Sequence, residues 1–114
     1  LGFDNVRFLR GRIQDLRTDL AEADRVLSHR PIASADDLAA FEATMAEQRA
    51  ARPLVADESI DVVVSNCVLN LVGDADKQTL LGEIFRVLKR GGRAVISDIV
   101  SDEPVPDDMK RWCA

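Results

Sequence analysis

Residues 65–72, Ser65-Asn66-Cys67-Val68-Leu69-Asn70-Leu71-Val72, set a thiol between two carboxamides directly after the apolar run Val62-Val63-Val64. A cysteine is a soft nucleophile or a ligand for soft metals and metalloids, and it does either job as the thiolate. Asn66 and Asn70 add amide donors and acceptors, and Asp98, near the end of a second apolar run, adds a carboxylate. Each has a plainer reading. An Asn after a strand often turns the chain by bonding its own backbone, and a Cys there often packs as a small hydrophobe. His29, the single histidine, sits beside Arg30-Pro31 at a helix end. No Ser/His/Asp set, zinc-ligand spacing or phosphate-binding glycine loop occurs, and Gly91-Gly92 reads as a helix stop. The sequence lacks the means for hydrolytic triad chemistry.

The elements that must position these groups can be read from periodicity. Residues 59–68 contain Ile60, Val62, Val63 and Val64, a near-continuous apolar run that suits a strand covered on both faces of a parallel sheet. Residues 74–88 are amphipathic at helical spacing, with Leu80, Leu81, Ile84, Val87 and Leu88 inward and Lys77, Glu83, Arg86 and Lys89 outward. Arg90-Gly91-Gly92 closes that helix, and residues 93–100 read as a second buried strand. Strand, helix, glycine turn and strand make one βαβ unit, for which parallel strands and a right-handed crossover are expected. In such sheets ligands bind beyond the carboxyl ends of the strands, where three segments are expected to fall: Gly11 to Gln14, Ser65 to Asn70 and Ser97 to Glu103.

Upstream, residues 5–11 alternate apolar and basic side chains and stop at Gly11, the pattern of a short strand. Leu16, Leu20, Ala23 and Leu27 then recur at helical spacing until Pro31. Ser34 is an N-cap candidate with Asp36 and Asp37 in the first turn, and Leu38, Phe41 and Met45 line a helix that ends near Ala51, before Pro53. Residues 17–52 thus read as a helical hairpin with a solvated outer face. Residues 101–108, with Pro104 and Pro106 among acids, read as an extended loop.

Composition limits the function classes. With 46% hydrophobic and 31% charged residues, the 114-residue chain suits a modest globular domain with a small core. A net charge of −5 offers no basic footprint for a phosphate backbone, so nucleic acid is not an expected partner. No apolar stretch approaches the ~20 residues of a membrane span, and no signal-peptide order occurs at the start. A cytoplasmic setting with reduced Cys67 and Cys113 is expected, rather than a disulfide between them. The chain begins at Leu1 and ends on Arg111-Trp112-Cys113-Ala114, so it reads as a piece of a longer protein.

Taken together, NVRFLRGRIQDL, ESIDVVVSNCVLNLV, DKQTLLGEIFRVLKRGGRAVISDIVSDEPVP and the late Cys113 resemble the later part of class I S-adenosylmethionine-dependent methyltransferases. FRVLKRGGRAVISD is similar to a segment of that whole superfamily, whereas SNCVLNL resembles the narrower group of arsenite methyltransferases. The resemblance implies an α/β, Rossmann-like methyltransferase fold that is incomplete: the later strands and helices of a mainly parallel sheet, spanning residues 1–114, with a helical insertion at about 17–52. It implies S-adenosylmethionine as cofactor, with Ile13 and Gln14 against its adenine and Ser65 and Asn66 beside its methionine part. It also implies that Cys67 and Cys113 bind arsenic(III) as thiolates and so act as the catalytic residues. The first two strands of the family, the glycine-rich loop and a third arsenic-binding cysteine have no counterpart in these residues. The first strand here would then lack its sheet neighbours, and the 114 residues alone are expected to be inactive.

Two other functions fit the same residues. One is a methyltransferase for a small organic acceptor, with Cys67 only lining the pocket. The other is a non-catalytic interaction module, in which the hairpin of residues 17–52 docks a partner and the Rossmann remnant supports it. The oligomeric state is not encoded in any feature of the sequence.

Overall fold

The structure is a computed structural model, and it describes residues 2–104 and 106. The chain forms two compact units, residues 1–56 and 57–114.

The first unit is built on two helices, α1 (Leu20–His29) and α2 (Ala35–Ala51). Asp19 caps α1, its side chain accepting from the N–H groups of Ala21 and Glu22 at 2.9 and 3.3 Å. Ser34 caps α2 by accepting from Asp37 N at 3.2 Å, as its position before two acids implies. Ala23 of α1 and Met45 of α2 are buried, while Leu38 stays 44% exposed, so the apolar stripe of α2 is narrower than its spacing suggests. Gln48, also buried, accepts from Asp19 N and donates to the carbonyls of Arg17 and Arg52 at 3.3 and 2.6 Å. The hairpin closes at its base, where Leu54 N donates to Arg17 O and Val55 N to Leu16 O.

Residues 5–10 are not a strand here. They carry no ladder, and Val6, Phe8 and Leu9 are exposed. Arg10 O accepts from Leu20 N at 3.1 Å, but with no strand beside the segment there is no ladder, so the expected strand pattern has nothing to pair with.

In the second unit β1 (Ile60–Asn66), the short 3-10 turn η1 (Leu69–Leu71), α3 (Asp74–Val87) and β2 (Leu88–Ser97) follow in order. The two strands are parallel, pairing Val62 with Arg93 and continuing in register to Asn66 with Ser97. Before that, Ile60 pairs with Leu88, so β2 carries three extra residues across the same interval, and the ladder is irregular there. Gly91 takes φ 81° in this bulge. A Cβ on Gly92 would lie 2.9 Å from Lys89 O and 3.1 Å from Asp61 O, which explains the glycine pair better than a helix stop alone does. β2 therefore starts directly after α3, earlier than the sequence suggests.

Leu80, Ile84 and Val87 form the buried stripe of α3, each contributing roughly 1.5–3 kcal/mol by burial. Leu81 and Phe85 remain 49% and 83% exposed. The strands are covered on one face only: Val63 is half-buried and Ser65 buried, whereas Val62 and Val64 are 52% and 74% exposed and Val95 is exposed too. The apolar run meant two covered faces; a two-stranded sheet with a single helix covers one. Arg86 ties the start of this unit to α3, donating to Glu83 at 2.7 Å and to Asp57 at 2.6 Å. Its own pKa is raised, first by the Glu83 hydrogen bond and then by Asp57, against the opposing effect of burial.

Candidate functional site

The polar cluster lies at the carboxyl edge of the β1–β2 pair, as open parallel sheets favour. Ser65 and Asn66 are the last residues of β1 and, being adjacent in a strand, point to opposite faces: Ser65 is buried and Asn66 exposed. Only Asn66 of the two therefore projects on the open side. Its Oδ1 accepts from the Cys67 thiol at 3.5 Å, and its amide nitrogen has no partner among the described residues.

Cys67 is an exposed, free thiol one residue beyond the strand. Its φ of 55° puts a non-glycine residue in the left-handed region, a conformation that costs roughly 1–2 kcal/mol. Such a residue persists where its surroundings over-determine it. Cys67 N donates to Ser97 O at 2.8 Å, so the turn leaves β1 while still bonded to the end of β2. Three residues later Asn70 is fixed as well. Asp98 accepts from Asn70 N at 3.1 Å and from Asn70 Nδ2 at 2.8 Å, and the same Nδ2 donates to Ile99 O at 2.8 Å. Asp98 Oδ1 also accepts from Ile99 N at 2.8 Å. Hydrogen bonds to a charged carboxylate contribute about 1.5–3 kcal/mol each when shielded, and less at this exposed edge.

Ile13 and Gln14 belong to the first unit. They are the central pair of a tight turn closed by Asp15 N donating to Arg12 O at 3.0 Å, and both are half-buried. The Gln14 side chain has no hydrogen-bond partner among the described residues. Asp15 accepts from the N–H groups of Arg17 and Thr18, both at 3.2 Å. Burial pushes the Asp15 carboxyl up, but Thr18, Arg17 and the charge of Arg49 outweigh it and hold the pKa below its ordinary value. The buried Thr18 hydroxyl has no hydrogen-bond partner among the described residues.

Cys113 lies outside the described residues. Among the described residues no group of three or more His, Cys, Asp or Glu side chains is placed to hold a metal ion, and no helix is long and apolar enough to cross a membrane. His29 is exposed at the end of α1, with Nδ1 2.8 Å from Arg25 O. Sequence reasoning did note Asn70 and Asp98 as edge residues, but nothing in their spacing, 28 residues apart, announced that they bond each other.

A family model described as a methyltransferase domain matches residues 38–114. The arsenite methyltransferase of Halobacterium salinarum is 52% identical over 56 residues, which cover 49% of this chain and 14% of that protein. The arsenite methyltransferase of Mus musculus is 50% identical over 56 residues, with coverage of 49% and 14%. The O-methyltransferase cnsE of Penicillium expansum is 53% identical over 38 residues, 33% of this chain and 14% of that protein. The matched part thus spans about one seventh of the length of these relatives. No solved structure matches the chain. The model covers most of the chain and includes the whole parallel pair with its polar carboxyl edge, so the chain belongs to the methyltransferase-domain family.

Proposed function

We propose that this chain is the later part of an S-adenosylmethionine-dependent methyltransferase whose acceptor is arsenite, bound as substrate through the thiolates of Cys67 and Cys113. The observation that carries the reading is the free, exposed Cys67 held in a left-handed turn at the carboxyl edge of the parallel pair. It is supported by the 52% identity of about half the chain to an arsenite methyltransferase.

The residues present suit the cofactor. The Asn66 amide nitrogen, exposed and without a partner among the described residues, suits the methionine carboxylate, and the half-buried Gln14 and Ile13 side chains suit adenine. Ser65, on the covered face, contributes through the strand end rather than through its hydroxyl. When bound, S-adenosylmethionine supplies an electrophilic methyl group. Cys67 holds the acceptor: trivalent arsenic is soft and prefers thiolate, and fixing it removes much of the entropic part of the barrier. The thiol gives up its proton on binding the metalloid, so no separate general base is needed. A cytoplasmic setting keeps such thiols reduced.

The 114 residues contain no glycine-rich strand-to-helix turn, and we expect them to be inactive alone, with residues 17–52 an insertion in the parent domain. Isothermal titration of this chain with S-adenosylmethionine tests that point, and micromolar binding would overturn it. The similarity to an O-methyltransferase favours a second reading, a small organic acceptor with Cys67 lining its pocket. Arsenite protection separates the two in the full-length parent: metalloid binding slows alkylation of Cys67, whereas an organic acceptor site leaves its labelling rate unchanged.

A further inference from the structure

We infer that Asn70 and Asp98 are positioning residues that hold the Cys67 thiol in the pose its acceptor requires. Cys67 has φ 55°, and nothing in its own side chain favours that backbone. What holds it is the way both ends of its turn are pinned to the end of β2. At one end Cys67 N donates to Ser97 O at 2.8 Å. At the other, Asn70 gives Asp98 its backbone N–H and one amide hydrogen, at 3.1 and 2.8 Å, and gives Ile99 O the second amide hydrogen at 2.8 Å. Asp98 is itself fixed by accepting from Ile99 N.

Among the described residues, the Cys67–Ser97 bond is the one other hydrogen bond from this turn to β2 and the residues after it. Breaking the Asn70–Asp98 contact therefore frees the turn at one end and lets Cys67 relax to an ordinary backbone conformation, which swings the thiol away. Asn70 is exposed and Asp98 only half-buried, so the pair adds little to the core. Its hydrogen bonds fix a place rather than stabilise a fold. That the thiol's partner is arsenite rests on the reading above; that the pair positions the thiol does not.

The test uses Asn70→Asp, Asp98→Asn and the double variant that exchanges the two side chains. Asn70→Asp sets two carboxylates against each other, Asp98→Asn leaves one acceptor oxygen where Asn70 N and Nδ2 now use two, and the exchange again sets an amide facing a carboxylate. Amide hydrogen exchange by NMR on this chain should show Cys67 N–H exchanging about tenfold faster in each single variant, with β1 amides such as Val63 and Val64 within about twofold of the wild type. The exchanged pair should recover part of the lost protection, since a carboxylate at position 70 cannot donate to Ile99 O. Acceleration of the β1 amides together with Cys67 would show a merely structural role and overturn the inference, as would an unchanged Cys67 rate in both single variants. In the full-length parent, Asp98→Asn should raise the KM for arsenite about tenfold and leave the Kd for S-adenosylmethionine within about twofold; equal losses in both would also overturn it. A wild-type parent that does not methylate arsenite removes the substrate reading alone, and the exchange measurement still decides the positioning role.

Discussion

Cys67 N lies 2.8 Å from Ser97 O, so the residue that carries the thiol has left β1 but is still bonded to the last residue of β2. That bond sets the start of a turn in which Cys67 adopts φ 55°. Replacing Cys67 with Gly removes the left-handed penalty of roughly 1–2 kcal/mol and adds about 0.5–1 kcal/mol of chain entropy, for a net change between neutral and slightly stabilising. Cys67→Val, β-branched at the same φ, should destabilise by more than about 1 kcal/mol. Urea unfolding of the two variants checks the difference in sign.

Gly92 is a closer steric constraint than its neighbour. A Cβ there meets Lys89 O at 2.9 Å and Asp61 O at 3.1 Å, both backbone atoms that cannot swing aside. Gly92→Ala should cost about 1–3 kcal/mol as an overpacked site. Gly91→Ala meets open space and pays only for its φ of 81°, roughly 1–2 kcal/mol. Thermal melts of the two variants should rank them in that order.

Arg86 bonds two carboxylates, Glu83 and Asp57, with only 12% of its side chain exposed and 13% of that of Glu83. Arg86→Met keeps the apolar stem but leaves Glu83 half-desolvated without its cation. The expected loss is about 1–3 kcal/mol, below that of a fully buried pair because Asp57 remains in water. Chemical denaturation at moderate and high salt checks it: a surface pair would fade with salt, and this one should retain most of its effect.

Asp15 gives the fold an acid dependence. Its folded pKa is lowered from the ordinary value of 3.8, so its contribution to stability is present above about pH 4 and disappears as pH falls through the lower folded value. Asp15→Asn should flatten that part of the acid limb and leave the melting temperature's dependence on pH above 6 unchanged. Thermal melts across pH 2–7 supply the comparison.

The hairpin and the βαβ unit were legible because their signals are local. Ser34 before Asp36 and Asp37, and Leu80, Ile84 and Val87 at helical spacing, each fix an element from within it. The parallel pairing of β1 and β2 likewise follows from strand–helix–strand order. Residues 5–10 read as a strand but are not one, because a strand needs a neighbour and alternation says nothing about whether one is present. The same limit applies to Val62 and Val64: an apolar run measures readiness to be covered on both faces, and only one face is. At the site, the edge position of Asn66 and Cys67 could be read from the end of the apolar run. The left-handed Cys67 and the Asn70–Asp98 contact could not, since both depend on two loops meeting after the chain has crossed α3.

The most direct test of the central claim is transfer of the labelled methyl group from S-adenosylmethionine to arsenite by the full-length parent, comparing wild type with Cys67→Ser. Serine keeps the size and presents a hard oxygen, so the account predicts at least about a hundredfold loss of arsenite methylation. Stability should stay within about 0.5 kcal/mol, because the side chain is exposed. A Cys67→Ser parent that methylates arsenite at the wild-type rate would contradict the account.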